Sequence, residues 1–151
     1  MLKKSLLFLI TIYTFTTANL FAQSSGFGAG IMLGEPTGIS LKNWTSQINA
    51  WDAGIAWGFG NHGAFHLHGD YLWHKYGLIR VDKGRLPLYY GVGARFLFAD
   101  ETRFGIRGVI GLDYQVSGVP LDIFLELVPI FDLAPRTEFS FNGALGFRYF
   151  F

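Results

Sequence analysis

The chain has 151 residues; half of them are hydrophobic, only 15% are charged, none is Cys, and the formal net charge is +1. This length fits one domain, and the near-zero charge disfavours binding to nucleic acid. The charged fraction is well below the roughly one quarter of an ordinary soluble domain, so the composition is atypical of a soluble α/β enzyme and of a disordered chain.

Residues 1–22 have the layout of a cleavable secretory signal. Lys3 and Lys4 precede an apolar run, and small residues lead up to Ala22, as in a signal with a basic, an apolar and a cleavage region. An uncleaved membrane anchor is the alternative, and the polar residues at 11–19 disfavour it. We expect cleavage after Ala22 and one exported domain over residues 23–151.

The first half of this domain predicts four strands with an irregular alternation of apolar and polar residues. The stretch "GFGAG" at 26–30 resembles a nucleotide-binding loop, but no helix follows it, so it is assigned to a strand. Turn signals separate the strands at "GEPTG", "TSQ" and "GNHG". The predicted strands are "GFGAGIMLG" (26–34), "TGISLKNW" (37–44), "INAWDAGIAWGF" (48–59) and "AFHLHGDYLWHKY" (64–76).

The second half predicts four strands with a clear period of two. One face of each is bulky and apolar, and the opposite face combines Gly and Ala with a few charged residues. Pro129 lies on the apolar face of its strand and cannot donate a ladder hydrogen bond, so we expect a bulge there. The strands are "LPLYYGVGARFLF" (86–98), "RFGIRGVIGLDYQV" (103–116), "LDIFLELVPIFDL" (121–133) and "EFSFNGALGFRYFF" (138–151).

Eight such strands predict an all-β fold: a closed antiparallel up-and-down transmembrane β-barrel. Each strand is near the ~9–11 residues that a tilted strand needs to cross a bilayer. A barrel of eight strands has an interior just wide enough for side chains, so the small and charged face fits the lumen and the bulky face fits lipid. A soluble barrel with the opposite orientation is the alternative, but it would have to enclose the bulky residues of all eight strands. Closure leaves no free sheet edge and stabilises a fold without disulfides.

The last strand and several internal stretches carry a resemblance to a known family. The chain resembles the OmpA/OmpX-like small outer-membrane barrels of bacteria with two membranes, in "GEPTGISLK", "PLYYGVGARF" and "PLDIFLELVPIFDL". Its end is similar to the sorting signal of such barrels: Gly146, Tyr149 and Phe151 match, whereas Ala144 replaces the expected polar residue. The resemblance implies an outer-membrane location, contacts with outer-membrane lipid and with the barrel-assembly machinery, a monomeric state and no assigned activity.

The charged residues of the inward face suggest what the lumen does. We expect the three Arg side chains to pair with the three carboxylates, because buried charges are tolerated when paired. Eight strands leave little bore, which favours a plugged lumen and a structural or surface-interaction role over the alternative of a narrow pore for small solutes or ions. The predicted lumen charges are Arg95, Arg107, Asp113, Asp122, Glu126 and Arg148.

A histidine-rich face offers a further alternative. His66, His68 and Asp70 share one face of a strand, with His74 further along, and His and Asp are ordinary metal ligands. A polar lumen lining is the simpler interpretation, so no metal and no cofactor is assigned. Catalysis is not expected, because Ser40 and Ser140 are predicted to face inward and lack a Gly-x-Ser-x-Gly turn.

The aromatic residues and the connections complete the expectations. Phe150 is predicted to point inward near one mouth, and the last strand is predicted to pair with residues 26–34. The connections at the mouth away from the termini are short, which disfavours a receptor surface carried on loops. Candidates for an interfacial aromatic belt are Trp44, Trp51, Trp57, Tyr71, Trp73, Tyr89, Tyr90, Tyr114 and Tyr149.

Overall fold

The structure, a computed structural model, describes residues 25–58 and 63–151. The predicted signal at 1–22 and most of the "GNHG" turn lie outside these residues. All eight predicted strands are confirmed, with ends that differ by one or two residues. They are β1 (Phe27–Gly34), β2 (Gly38–Trp44), β3 (Asn49–Trp57), β4 (Phe65–Lys75), β5 (Leu88–Phe98), β6 (Arg103–Gln115), β7 (Leu121–Ala134) and β8 (Glu138–Phe150).

The strands form one closed antiparallel barrel, as predicted. Each strand pairs with the next, and β1 pairs with β8 from Gly28↔Phe150 to Gly34↔Ala144. The mouth near Gly28 and Phe150, which also holds the connections at 45–48, 76–87 and 116–120, is called the terminal mouth. The opposite mouth, with connections at 35–37, 99–102 and 135–137 and with the described residues 58, 63 and 64, is called the distal mouth. In the described part of the chain, no helix is long and apolar enough to span a membrane.

The outer face of the barrel is a continuous apolar surface. Large apolar side chains are exposed on every strand, with Val92 at 61% and Leu33 at 58%. Alternation along each strand places these side chains outward, because successive residues point to opposite faces of the sheet. Examples, one for each strand from β1 to β8, are Ile31, Ile39, Trp51, Leu67, Val92, Ile110, Leu125 and Phe141.

The inner face is more apolar than the sequence suggested. Trp44 and Phe150 pack with Ala50 at the terminal mouth, so Phe150 points inward as expected. Trp44 and Tyr89 are buried in the lumen; these two candidates therefore do not belong to an aromatic belt on the outer face. The central apolar cluster consists of Met32, Ala56, Leu72, Tyr89, Val109, Phe124, Val128, Ile130 and Ala144.

Inward-facing glycines make room for these large side chains. A Cβ added at Gly28 would lie 2.6 Å from the Phe150 ring, and one at Gly91 would lie 2.6 Å from Leu72 Cδ2. Large and small inner residues on neighbouring strands therefore alternate, which is how a narrow interior is filled without voids.

The bulge predicted at Pro129 is absent. In the β7–β8 ladder Pro129 faces Phe141, and the register is the same on both sides of it. Pairing with β6 skips the residues opposite Pro129 but resumes without a shift, since the missing N–H interrupts the ladder locally. The register shift in this pair of strands lies instead between Phe104 and Gly105.

Candidate functional site

Two ion pairs lie in the lumen near the terminal mouth. Lys42 Nζ is 2.8 Å from Asp113 Oδ2 and 3.7 Å from Asp122 Oδ2. Arg148, which faces Asp122 across the β7–β8 ladder, donates from Nε and Nη2 to its two carboxylate oxygens at 3.0–3.2 Å. All four side chains are buried, and two cations balance two carboxylates.

Aromatic rings cover these charges. Lys42 Nζ lies 4.3 Å from the centroid of the Trp44 ring, and the Arg148 guanidinium lies 4.1 Å from that of Phe124. His74 Nε2 is 3.0 Å from Lys42 Nζ, and its Nδ1 is 3.1 Å from the Ile48 carbonyl oxygen. These contacts fit a neutral ring that accepts from Lys42 at Nε2 and donates to the carbonyl from Nδ1.

A second polar group occupies the middle of the lumen. Tyr89 Oη donates a 2.8 Å hydrogen bond to Glu126 Oε2. Arg107 Nε lies 2.9 Å from Asp70 Oδ1, and its Nη2 lies 3.8 Å from Glu126 Oε1. Asp52 faces Asp70 directly across the β3–β4 ladder. This level therefore holds three carboxylates near one guanidinium.

A third polar group lies at the distal mouth. Arg95 donates from Nε and Nη2 to the two oxygens of Asp132 at 3.0 and 2.6 Å, a bidentate pair. Arg103 Nη1 is 3.1 Å from Glu138 Oε2 and 3.9 Å from Asp132 Oδ2. A cleft of about 470 Å³ opens here, with His66 and Arg95 among its lining residues.

Several of these polar pairs join strands that are not neighbours. Three of them pass over an inward-facing glycine of the strand between them, and a Cβ added at that glycine would collide with a member of the pair. The inward glycines are thus a condition for the polar contacts. The three pairs are Asp70–Arg107 over Gly93, Arg95–Asp132 over Gly105 and Tyr89–Glu126 over Gly111.

The structure places all six predicted lumen charges in the interior. Of the pairs expected among them, it brings together Arg148 with Asp122, and Arg107 with Glu126 at the longer distance. Their other partners were not predicted from the sequence. The alternation does predict that Lys42 faces inward, because it has the same parity as the predicted inward residue Ser40, which is buried. The partners that were missed are Lys42, Asp70, Tyr89 and Asp132.

The histidine face also points into the lumen, but its closest group differs from the predicted one. Ligand atoms of Asp52, His68 and Asp70 all lie within 4.8 Å of one another. His66 is outside this group and lies beside His68, with ring centroids 5.3 Å apart. The sequence did not bring Asp52 to this group, because its place opposite Asp70 depends on the β3–β4 register.

The longest connection, residues 76–87, is attached to the end of β6. Arg85 and Gln115 exchange two backbone hydrogen bonds of 3.1 and 2.8 Å. Gln115 Nε2 donates to Tyr76 Oη at 2.9 Å, and the Arg85 guanidinium lies 5.1 Å from the Tyr76 ring centroid. Burial raises the pKa of Tyr76 above its ordinary value of 10.0, so its hydroxyl stays neutral at physiological pH.

The three residues of the predicted sorting signal lie at the end of β8. Gly146 faces inward beneath the Phe124 ring, which leaves no room for a Cβ. Tyr149 and Phe151 face outward with ring centroids 5.2 Å apart, and the Phe151 amide donates to the Phe27 carbonyl at 2.9 Å. Gly146 is therefore also required by packing.

Comparison with known proteins supports the fold of the chain. No protein-family model matches the chain, and no curated protein matches it. Among solved structures, the chain is similar to the N-terminal β-barrel domain of Pseudomonas aeruginosa OprF, with a TM-score of 0.59 and 12% identity over 83% of this chain and 95% of that one. The likeness agrees with the closed all-β barrel.

Proposed function

We propose that the chain is an integral outer-membrane β-barrel protein with a structural or surface-interaction role and a lumen closed by its own side chains. The observation that carries this proposal is the contrast between the two faces of the sheet. Large apolar side chains cover the outside of all eight strands, whereas ion pairs are buried inside. No catalytic role is assigned.

The apolar outside supports the membrane placement. Soluble monomers rarely expose contiguous apolar patches beyond a few hundred Å², and here the exposed apolar residues run around the whole barrel. The closed ladder from β1 to β8 pairs the strand backbones with one another, as a spanning structure in lipid requires. We expect the termini in the periplasm and the short connections of the distal mouth outside the cell.

The filled interior supports a plug rather than a channel. Trp44 and Phe150 occupy the terminal mouth, and the bidentate pair of Arg95 and Asp132 lies near the distal mouth. Between them, bulky side chains are less than 2% exposed. Those that fill the cross-section are Arg148, Tyr89, Lys42, Phe124, Leu72 and Ile130.

The last strand supports two further parts of the proposal. Because β8 pairs with both β7 and β1, the described strands leave no edge for pairing with another chain, so we expect a monomer. Gly146, Tyr149 and Phe151 are expected to be read by the outer-membrane assembly machinery before the barrel closes.

Planar-bilayer conductance tests the closed lumen. We expect purified barrel to give no steady current, and the double variant Tyr89→Ala/Phe124→Ala, which removes two central rings, to give small currents under the same conditions. Steady currents from the unaltered protein would refute the plug and favour the narrow pore. Cell fractionation tests the placement: folded protein recovered in water without detergent would refute the membrane assignment.

A further inference from the structure

We propose that Asp52, His68 and Asp70 form a binding site for a divalent transition-metal cation, with Zn²⁺ the best match, in the middle of the lumen. The site is built by β3 and β4 alone. It differs from the group His66, His68 and Asp70 that the sequence pattern indicates, because Asp52 takes the place of His66.

The strand register brings the three ligands together. Asp52 and Asp70 are direct partners across the ladder, and His68 is the next inward residue along β4, opposite Gly54. A Cβ at Gly54 would collide with the His68 imidazole, so the glycine makes room for the ring. The ligand atoms lie within 4.8 Å of one another; bonds of about 2.0–2.2 Å to Zn²⁺ would draw them closer together through side-chain rotation.

Three polar atoms of this group lack hydrogen-bond partners among the described residues. Asp52 Oδ1, His68 Nδ1 and Asp70 Oδ2 make no hydrogen bond there, although the three residues are only 7%, 5% and 0% exposed. Buried polar atoms are nearly always hydrogen-bonded or bound to an ion. Three neighbouring side chains with unpartnered ligand atoms therefore indicate a common ligand.

The net charge of the lumen indicates that this ligand is a cation. The buried lumen side chains include four cations and six carboxylates. The pairs at the terminal mouth balance, and so does the pair of Arg95 with Asp132. With all six carboxyl groups ionised, the excess of two negative charges lies at the middle level, where Arg107 contacts Asp70 and Glu126 and where Asp52 faces Asp70. One divalent cation would neutralise it.

The donor types narrow the choice of cation. Like charges directly opposite each other on a sheet are destabilising, and a cation between Asp52 and Asp70 would remove that repulsion. One imidazole with two carboxylates suits a first-row transition metal, whereas Mg²⁺ and Ca²⁺ prefer oxygen ligands alone. Arg107 Nε lies against Asp70 Oδ1, which leaves Oδ2 available to the metal and orients the carboxylate.

The distal mouth has an opening on the side of the lumen where His68 lies. The cleft of about 470 Å³ has His66 among its lining residues, and the His66 ring lies beside that of His68. His66 therefore lies between this cleft and the His68 ring.

Metal titration of the folded barrel in detergent, after removal of metal with EDTA, tests the proposal. Co²⁺ serves as a spectroscopic probe through its visible absorption, followed by displacement with Zn²⁺ and by measurement of bound metal after dialysis. We expect one equivalent per chain. His68→Asn and Asp52→Asn should each lose at least about tenfold in affinity, since even groups behind the ligands typically contribute 10–100-fold.

His66→Asn is the matched control, because it changes the same residue type on the same strand and face. It should retain the affinity of the unaltered protein. Asp52→Asn adds a readout independent of affinity: it should raise the thermal midpoint of the metal-free barrel by removing the like-charge pair, and it should abolish the rise that Zn²⁺ causes in the unaltered protein. If His68→Asn does not fold, Asp52→Asn decides the question. No Co²⁺ or Zn²⁺ binding by the folded protein, or unaltered binding by Asp52→Asn, would overturn the proposal.

Discussion

Tyr89 Oη donates a 2.8 Å hydrogen bond to Glu126 across an intervening strand, directly above Gly111. The bond therefore joins β5 to β7, which are not paired in the sheet. Such contacts connect the wall of the barrel through its interior, in addition to the ladder around it. Their stability depends on the glycine beneath them as much as on the polar partners.

Substitution of that glycine should destabilise the barrel. A Cβ at Gly111 would overlap the Tyr89 ring and hydroxyl, so Gly111→Ala should displace Tyr89 and break its bond to Glu126. We expect a loss of about 1–3 kcal/mol in the free energy of unfolding, as for other overpacked interiors. Urea unfolding in lipid vesicles, monitored by tryptophan fluorescence, measures it.

Gly69→Ala is the control for this substitution. Gly69 faces outward on β4, and an added Cβ would meet only the Asp52 carbonyl oxygen at an ordinary 3.8 Å. The expected change is within about 0.5 kcal/mol. Equal losses for the two variants would mean that glycine itself, and not the space above it, is what the strands require.

The pair of Lys42 with Asp113 should be strongly coupled. Lys42→Met leaves Asp113 buried with its 2.8 Å partner removed, and loss of one partner of a buried pair typically costs about 3–5 kcal/mol. Asp113→Asn should also destabilise the barrel, whereas the double variant should recover much of the loss. A double-mutant cycle by urea unfolding measures the coupling; additive effects would contradict the ion pair.

Arginine substitutions on the outer face test the placement of the bilayer. Leu127 and Leu133 both face outward on β7, Leu127 near its middle and Leu133 next to its last residue. In lipid vesicles Leu127→Arg should cost about 2–4 kcal/mol and Leu133→Arg about 0–1, because the cost of a charge falls from the midplane to the interface. Equal costs would contradict a bilayer centred on the middle of β7.

The sorting signal predicts a separation between folding and assembly. The Phe151 side chain is 70% exposed, and Phe151→Ala keeps the amide bond to Phe27, so stability in vesicles should change by less than about 1 kcal/mol. In cells, the fraction that reaches the outer membrane should fall. Phe147→Ala, on the same face of β8 but outside the pattern, is the control; equal assembly of both variants would contradict the signal.

The alternation of residue types was sufficient to predict the strands and their inner faces. The period of two survives in β5 to β8 because bulky and small residues alternate there with few exceptions. It was weaker in β2, where Lys42 is the one charge on a strand of seven residues, and the importance of this residue was missed. Parity does indicate its direction, since Lys42 is two residues beyond Ser40.

The partners inside the lumen could not be predicted from the same pattern. The alternation predicts that Arg107 and Asp70 both face inward, but their contact depends on the register of β4, β5 and β6 together. Tyr89 was one of the candidates for a lipid-facing belt, because aromatic residues favour membrane interfaces. Its position in the alternation predicts an inward side chain instead. The structure agrees with the alternation, because the Tyr89 ring is buried above Gly111.

The glycines beneath the lumen contacts also constrain how neighbouring strands can align. A slide of two residues between β5 and β6 would keep every outward-facing apolar side chain outward, so the hydrophobic pattern alone does not discriminate against it. Such a slide would place Val109 or Asp113 under the Tyr89 ring in place of Gly111. The space above single glycines thus selects one strand register among several that would bury and expose the same faces.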